Sequence, residues 1–131
     1  MTSMELIKLA EEMRERSYSP YSGFSVGAAL VTVNGKVYSG CNIENASFSP
    51  TCCAERVAIF KAVSEGERNI SAIAVSGGKA GETPEARCYP CGVCRQVMAE
   101  FGGSDMKIYF HDGSETTLGE LLPHSFTLKK D

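Results

Sequence analysis

Cys53-Ala54-Glu55 and, further along the chain, Pro90-Cys91-Gly92-Val93-Cys94 bring together three thiols that can bind a metal and one carboxyl left over to move protons. A structural zinc site closes its tetrahedron with four protein ligands. A catalytic one holds three and leaves a position for water, whose pKa the metal lowers toward ~7. The residues here fit the second pattern: one zinc ion per chain on Cys53, Cys91 and Cys94, with Glu55 as the acid/base group. A redox Cys-x-x-Cys pair needs neither the third cysteine nor the neighbouring Glu, and a closed structural site calls for a further cysteine pair or a histidine knuckle.

Spacing alone leaves the ligand register open, because Cys88 also stands three residues before Cys91 and Cys52 directly precedes Cys53. Pro90 favours Cys91 and Cys94 by starting a helix that leaves Cys88 in the loop before it, and only Cys53 has the Cys-x-Glu spacing. Cys41, Cys52 and Cys88 read as small free thiols, buried or partly exposed. Three thiolates around a divalent ion leave excess negative charge. Arg56, beside Glu55, and Arg95, beside Cys94, are the candidates to donate hydrogen bonds to the sulfurs, with surface ion pairing as the plainer alternative. His111 and His124 have no ligand spacing and read as ordinary surface residues.

These groups need two helix N-termini facing one metal, where the partial positive charge favours thiolate over thiol. Residues 3 to 17 predict an amphipathic helix with Ser3 as N-cap and Leu6, Ile7, Ala10 and Met13 on one face. Residues 24 to 33 and 36 to 43 predict a hairpin, with Asn34-Gly35 as a type I′ turn. After a loop from Asn42 to Pro50, Thr51 or Cys52 would cap a helix from Cys53 to about Ser64. Ile70 to Ser76 reads as a buried strand, Gly77 to Tyr89 as a surface loop, and Pro90-Cys91 as the start of a helix reaching about Phe101. Met106 to Phe110 is another strand, and Leu118 to Leu122 a short helical turn stopped by Pro123. The expected fold is a single α/β domain over 1–131, a three-layer α/β/α sandwich around a mixed sheet of about five strands.

Composition narrows the partners. The net charge is −3, and the 13 basic residues form no cluster longer than Lys129-Lys130, which argues against a polynucleotide partner needing a basic stripe. No apolar run approaches the ~20 residues of a membrane span. The N-terminus lacks the basic start and apolar stretch of a signal peptide, and the cysteine spacings suit metal binding in a reducing compartment, so the expected location is cytoplasmic.

Cys-x-Glu with Pro-Cys-x-x-Cys is the known signature of zinc-dependent deaminases acting on nucleobases. The wider sequence resembles the cytidine deaminases of the small, homotetrameric type. Tyr18-Ser19-Pro20-Tyr21-Ser22, Phe24 to Leu30, Gly40 to Ala46, Cys53 to Arg56, Pro90 to Gln96, and Leu121-Leu122-Pro123 with Phe126 carry the resemblance. It implies a small-molecule nucleoside substrate, in pyrimidine salvage, with Asn42 and Glu44 on the ribose hydroxyls. Phe24 would pack against the pyrimidine and the Ala54 backbone would hydrogen-bond the base. It also implies a homotetramer in which Ala46, Phe48 and Phe126 reach a neighbouring subunit's pocket. Two positions depart from the family pattern: Phe48 where tyrosine is common, and Tyr89 where a smaller residue usually precedes the motif's proline.

The implied reaction is hydrolytic deamination of cytidine and 2′-deoxycytidine. The rivals are a deaminase for another small amine, such as blasticidin S, a polynucleotide-editing deaminase, and a non-enzymatic structural zinc module.

Overall fold

The run from Val26 to Val31 carries no polar side chain because both of its faces are covered. In the computed structural model, which describes residues 1–128 and so leaves Lys129-Lys130 outside, β1 (Phe24–Thr32) lies inside a five-stranded sheet. Its neighbours are β2 (Val37–Cys41) and β3 (Ile70–Lys79), followed by β4 (Lys107–Phe110) and β5 (Glu115–Thr117) in the order β2-β1-β3-β4-β5. Among these five strands of the described residues β3 and β4 pair in parallel and the other neighbours antiparallel, so the sheet is mixed.

Strand side chains alternate between faces. Ala28 and Leu30 join Ile73 and Ile108 under α2 (Ala54–Ser64) and α3 (Gly92–Phe101), while Ala29 and Val31 join Ala72 and Ala74 under α1 (Ser3–Met13). This is the expected three-layer α/β/α sandwich. A four-residue helix, α4 (Leu118–Leu121), follows β5.

Several local details differ from expectation, each for a physical reason. Thr2 rather than Ser3 caps α1: its hydroxyl accepts from the Glu5 N–H while the Glu5 carboxylate accepts from the Thr2 N–H, which satisfies two orphan donors at once. The α-helix stops at Met13, and one 3-10 turn carries the chain through Arg16. In the hairpin turn only Gly35 has positive φ, 83°, and its N–H bonds the Thr32 carbonyl. A type I′ turn needs positive φ at both central residues, so this is a turn followed by one left-handed glycine. β3 runs three residues past Ser76, because Gly77, Gly78 and Lys79 continue to pair with Val26, Ser25 and Phe24. His111 is half-buried, its Nδ1 3.8 Å from a Glu11 carboxylate oxygen, rather than on the open surface.

Helix α2 sits close to β2 because Gly40 carries no side chain. A Cβ there would stand 2.8 Å from the Ala54 carbonyl oxygen and 2.7 Å from the Ala58 nitrogen. That close approach fixes the height of the helix that begins just after Cys53.

Candidate metal and nucleoside site

The N-termini of α2 and α3 meet at one point. Cys53 is the N-cap of α2, in place of the expected Thr51 or Cys52, and Cys91 is the N-cap of α3, with Cys94 in its first turn. Ser, Thr, Asn or Asp at an N-cap would turn its side chain back onto the helix amides. Neither cysteine makes such a cap bond, so both sulfurs remain available. The sulfurs of Cys53, Cys91 and Cys94 all lie within 4.8 Å of one another, and those of Cys53 and Cys91 are 3.7 Å apart. A tetrahedral zinc with Zn–S of about 2.3 Å requires sulfur–sulfur edges of about 3.8 Å. A disulfide requires about 2 Å. The three-sulfur set therefore fits zinc.

The charges agree with that fit. Hydrogen bonding from the Cys94 thiol, helped by Arg56 and Cys91 and opposed by burial, holds the Cys53 thiol well below the usual range, at about 5. Cys94 moves the other way, because its proton is held on Cys53 and it is buried beside charges of the same sign. Protein groups alone therefore favour one thiolate and resist the next, and a divalent cation removes that resistance. Arg56 donates from Nη2 to the Cys53 sulfur at 3.4 Å, and that bond raises its own pKa. Arg95 does something different from the expected sulfur contact. Its Nε donates to the Pro90 carbonyl at 2.8 Å and its Nη1 to the Leu121 carbonyl at 2.9 Å, tying the start of α3 to α4.

Glu55 is only 4 % exposed. Burial pushes its carboxyl up to about 7, aided by the Cys53 charge and opposed by its own backbone N–H and by Arg56. A carboxyl in that range can hold or release a proton at neutral pH.

Glu55 and the sulfurs of Cys53 and Cys91 open into a cavity of about 340 Å³, which Phe24, Val26, Asn42, Glu44, Ala54, Cys88 and Tyr89 also line. Asn42 holds the start of β1. Its Nδ2 donates to the Phe24 carbonyl at 2.8 Å, and its Oδ1 accepts from the Val26 N–H at 2.9 Å and the Ser17 hydroxyl at 2.5 Å. One Nδ2 hydrogen is left over. Glu44 accepts from the backbone N–H groups of Tyr21 and Ser22 and from the Ser22 hydroxyl; the Ser22 hydroxyl is the largest influence keeping its pKa low. The Ala54 N–H, at the first turn of α2, has no acceptor within the helix.

Of the residues expected to serve a neighbouring pocket, none lines this cavity. Phe48 is 69 % and Phe126 64 % exposed, and Ala46 is exposed as well. Phe48 takes a positive φ of 61° and meets Tyr21 edge-on at 6.0 Å, over a hollow that shares Ser22, Glu44 and Thr51 with the cavity.

Sequence reasoning read Cys88 as a free thiol and Tyr89 as a departure from the family pattern, and it passed over Arg14. Cys88 and Tyr89 are cavity walls, and the Tyr89 ring leans on Phe110 with centroids 4.8 Å apart, which accommodates its bulk. Arg14 is a buried guanidinium that donates to the carbonyls of Ser25, Lys79 and Glu82, each at 3.0 Å. It pins the segment leading into Cys88. Nothing in the apolar spacing of residues 3 to 17 distinguishes such an arginine from a solvated one.

An α/β/α sandwich that presents three sulfurs and one buried carboxyl from two facing helix ends defines a class of metal-dependent catalysts. Residues 1–111 match the family model described as the cytidine and deoxycytidylate deaminase zinc-binding region. The chain is 50 % identical to a cytidine deaminase of Halalkalibacterium halodurans, with 97 % of this chain and 96 % of that protein covered. It is 47 % identical to one from Sporosarcina psychrophila, with 94 % and 90 % covered. The crystal structure of a Burkholderia pseudomallei cytidine deaminase superposes with a TM-score of 0.85 at 46 % identity, covering 96 % of this chain and all of that one. The chain belongs to the cytidine and deoxycytidylate deaminase family.

Proposed function

We propose that this protein hydrolyses cytidine and 2′-deoxycytidine to the corresponding uridines and ammonia. The observation that carries the reading is the trio of sulfurs within 4.8 Å beside a carboxyl that is 4 % exposed, at the end of a cavity sized for one small ligand. Cys53, Cys91 and Cys94 would hold the zinc. When bound, the ion supplies a Lewis acid that acidifies water at its open coordination position.

Glu55 does the proton work. It takes a proton from the attacking water, delivers it to N3 as oxygen adds at C4, and then assists proton delivery to the departing amino group. Asn42 and Glu44, a neutral amide and an ionised carboxylate at the cavity wall, suit the ribose hydroxyls and would repel a phosphate. Phe24 offers an aromatic wall to the base, and the Ala54 N–H an unpaired donor. Arg56 offsets charge on the sulfurs, and Arg95 anchors the helix that carries two of them.

The finer reading is a homotetramer of single-domain chains over residues 1–131, cytoplasmic and serving pyrimidine salvage. Ala46, Phe48 and Phe126 would each cover a neighbour's pocket. The exposure of Ala46, Phe48 and Phe126, with Phe48 over a hollow that adjoins the open cavity, supports this, and no helix among the described residues is long and apolar enough to cross a membrane.

The test is the ultraviolet change on mixing the zinc-loaded protein with cytidine, deoxycytidine, cytosine, CMP and blasticidin S. Selective turnover of the two nucleosides is expected. Turnover of blasticidin S alone moves the assignment to that substrate, and inertness toward all five leaves a structural zinc module.

A further inference from the structure

Gly77 lies on the face of β3 that looks toward the site, the same face as Ile73. A Cβ built on Gly77 would stand 2.6 Å from the Cys88 sulfur, 3.2 Å from Phe24 Cε2 and 3.2 Å from Val26 Cγ2. All three of those side chains line the cavity that holds Glu55. The missing side chain at 77 is therefore the space into which the walls of the cavity settle, and the Cys88 sulfur occupies most of it.

The cavity is chemically two-sided. Glu55, the Ala54 N–H and the sulfurs of Cys53 and Cys91 make one part polar, while Phe24, Val26 and Cys88 offer carbon and a weakly polar sulfur. A cytosine ring is two-sided as well. N4, N3 and O2 need hydrogen-bond partners, whereas C5 and C6 carry only hydrogen. Satisfying the polar edge at Glu55 and Ala54 turns the carbon edge toward the apolar wall, since an unpaired polar group in that wall costs more than a mismatched methyl.

We propose that Gly77 and Cys88 together set how large a substituent the base can carry on its C5 edge, Cys88 as the gauge and Gly77 as the recess that holds it back. The inference rests on the deaminase reading and deepens it. Shortening Cys88 widens the pocket at that edge. Filling the recess at Gly77 drives the Cys88 sulfur into the cavity, because a terminal atom rotates more easily than the strand moves. Removing the sulfur in the same chain gives the new methyl somewhere to sit.

The experiment compares cytidine with 5-methylcytidine as substrates, and uridine with 5-methyluridine as ligands by calorimetry, in wild type, Cys88→Ala, Gly77→Ala, the double variant and Cys88→Val. Zinc content is measured in each. One methyl group in an apolar pocket is worth about tenfold or more. Cys88→Ala should raise the 5-methyl-to-unsubstituted ratio, in both kcat/KM and affinity, by about that factor. Gly77→Ala should lower it through KM rather than kcat, and the double variant should return toward wild type. Cys88→Val adds bulk without touching the strand, so it gives the same downward shift even where Gly77→Ala fails to fold. Ratios within twofold of wild type in both Cys88→Ala and Cys88→Val, with zinc retained, overturn the inference alone. A zinc-loaded wild type inert toward both nucleosides overturns the deaminase reading and the inference with it.

Discussion

Glu55 and the three sulfurs are separable by mutation because the proposed mechanism gives them different work. On the proposed mechanism, Glu55→Gln keeps the shape and the three cysteines but removes the group that would accept and return protons, so turnover should fall by about 10²- to 10⁴-fold while zinc per chain stays unchanged. Initial rates and metal analysis on one preparation check this; near-normal rates would remove Glu55 from the mechanism. Arg56→Gln removes the 3.4 Å donor to Cys53 and should weaken zinc by about tenfold in competition with a chelator. Arg95→Gln should leave that competition nearly untouched and lower thermal stability instead, by ~1–3 kcal/mol, because two carbonyls lose their partner. The neighbouring arginines look alike in sequence, each one residue from the motif, and only the direction their side chains take separates a sulfur partner from a backbone staple.

At the scale of elements, the positions of α2 and α3 decide whether four local residues become one site. Gly40→Ala places a methyl under 3 Å from the α2 backbone, which neither strand nor helix can rotate away. It should cost ~1–3 kcal/mol of stability and also lower zinc affinity, since Cys53 and Glu55 ride on that helix. Thermal melts with and without added zinc measure both effects, and a variant with normal zinc affinity would show that α2 does not need β2 to place its first turn. The same distinction explains what could be read in advance. The helices, the hairpin and the long strands announce themselves by apolar period and turn residues, and the three clustered cysteines by spacing within two short motifs. β5 does not, because Glu115-Thr116-Thr117 has no apolar alternation and becomes a strand only by pairing with β4. The wall formed by Cys88 is equally hidden, since it depends on a glycine eleven positions earlier in another element. The cap at Thr2 was one residue away from an equally good hydroxyl at Ser3, and only the reciprocal bond with Glu5 chooses between them.

At the scale of the whole molecule, the proposed homotetramer rests on two exposed aromatic side chains. Phe48 and Phe126 carry large apolar surfaces into solvent, 69 % and 64 % exposed, and Phe126 is held in place by its carbonyl accepting from Gln96 Nε2 at 2.9 Å. Phe48 stands over a hollow adjoining the cavity, and exposed aromatics of this kind are enriched in interface cores. If each covers a neighbour's pocket in a homotetramer, an active site draws Glu55 from one chain and Phe126 from the next. Glu55→Gln and Phe126→Ala should then each be poorly active alone, yet complement after unfolding and refolding together. In a mixed tetramer, the pocket with intact Glu55 in a Phe126→Ala chain receives an intact Phe126 from its Glu55→Gln neighbour. Activity above the sum of the separately refolded variants, with a tetramer mass in sedimentation, is the expected outcome. Strict additivity in verified mixed tetramers would place Phe126 over its own chain's site, and a monomer mass throughout would leave both aromatics without the partner their exposure calls for.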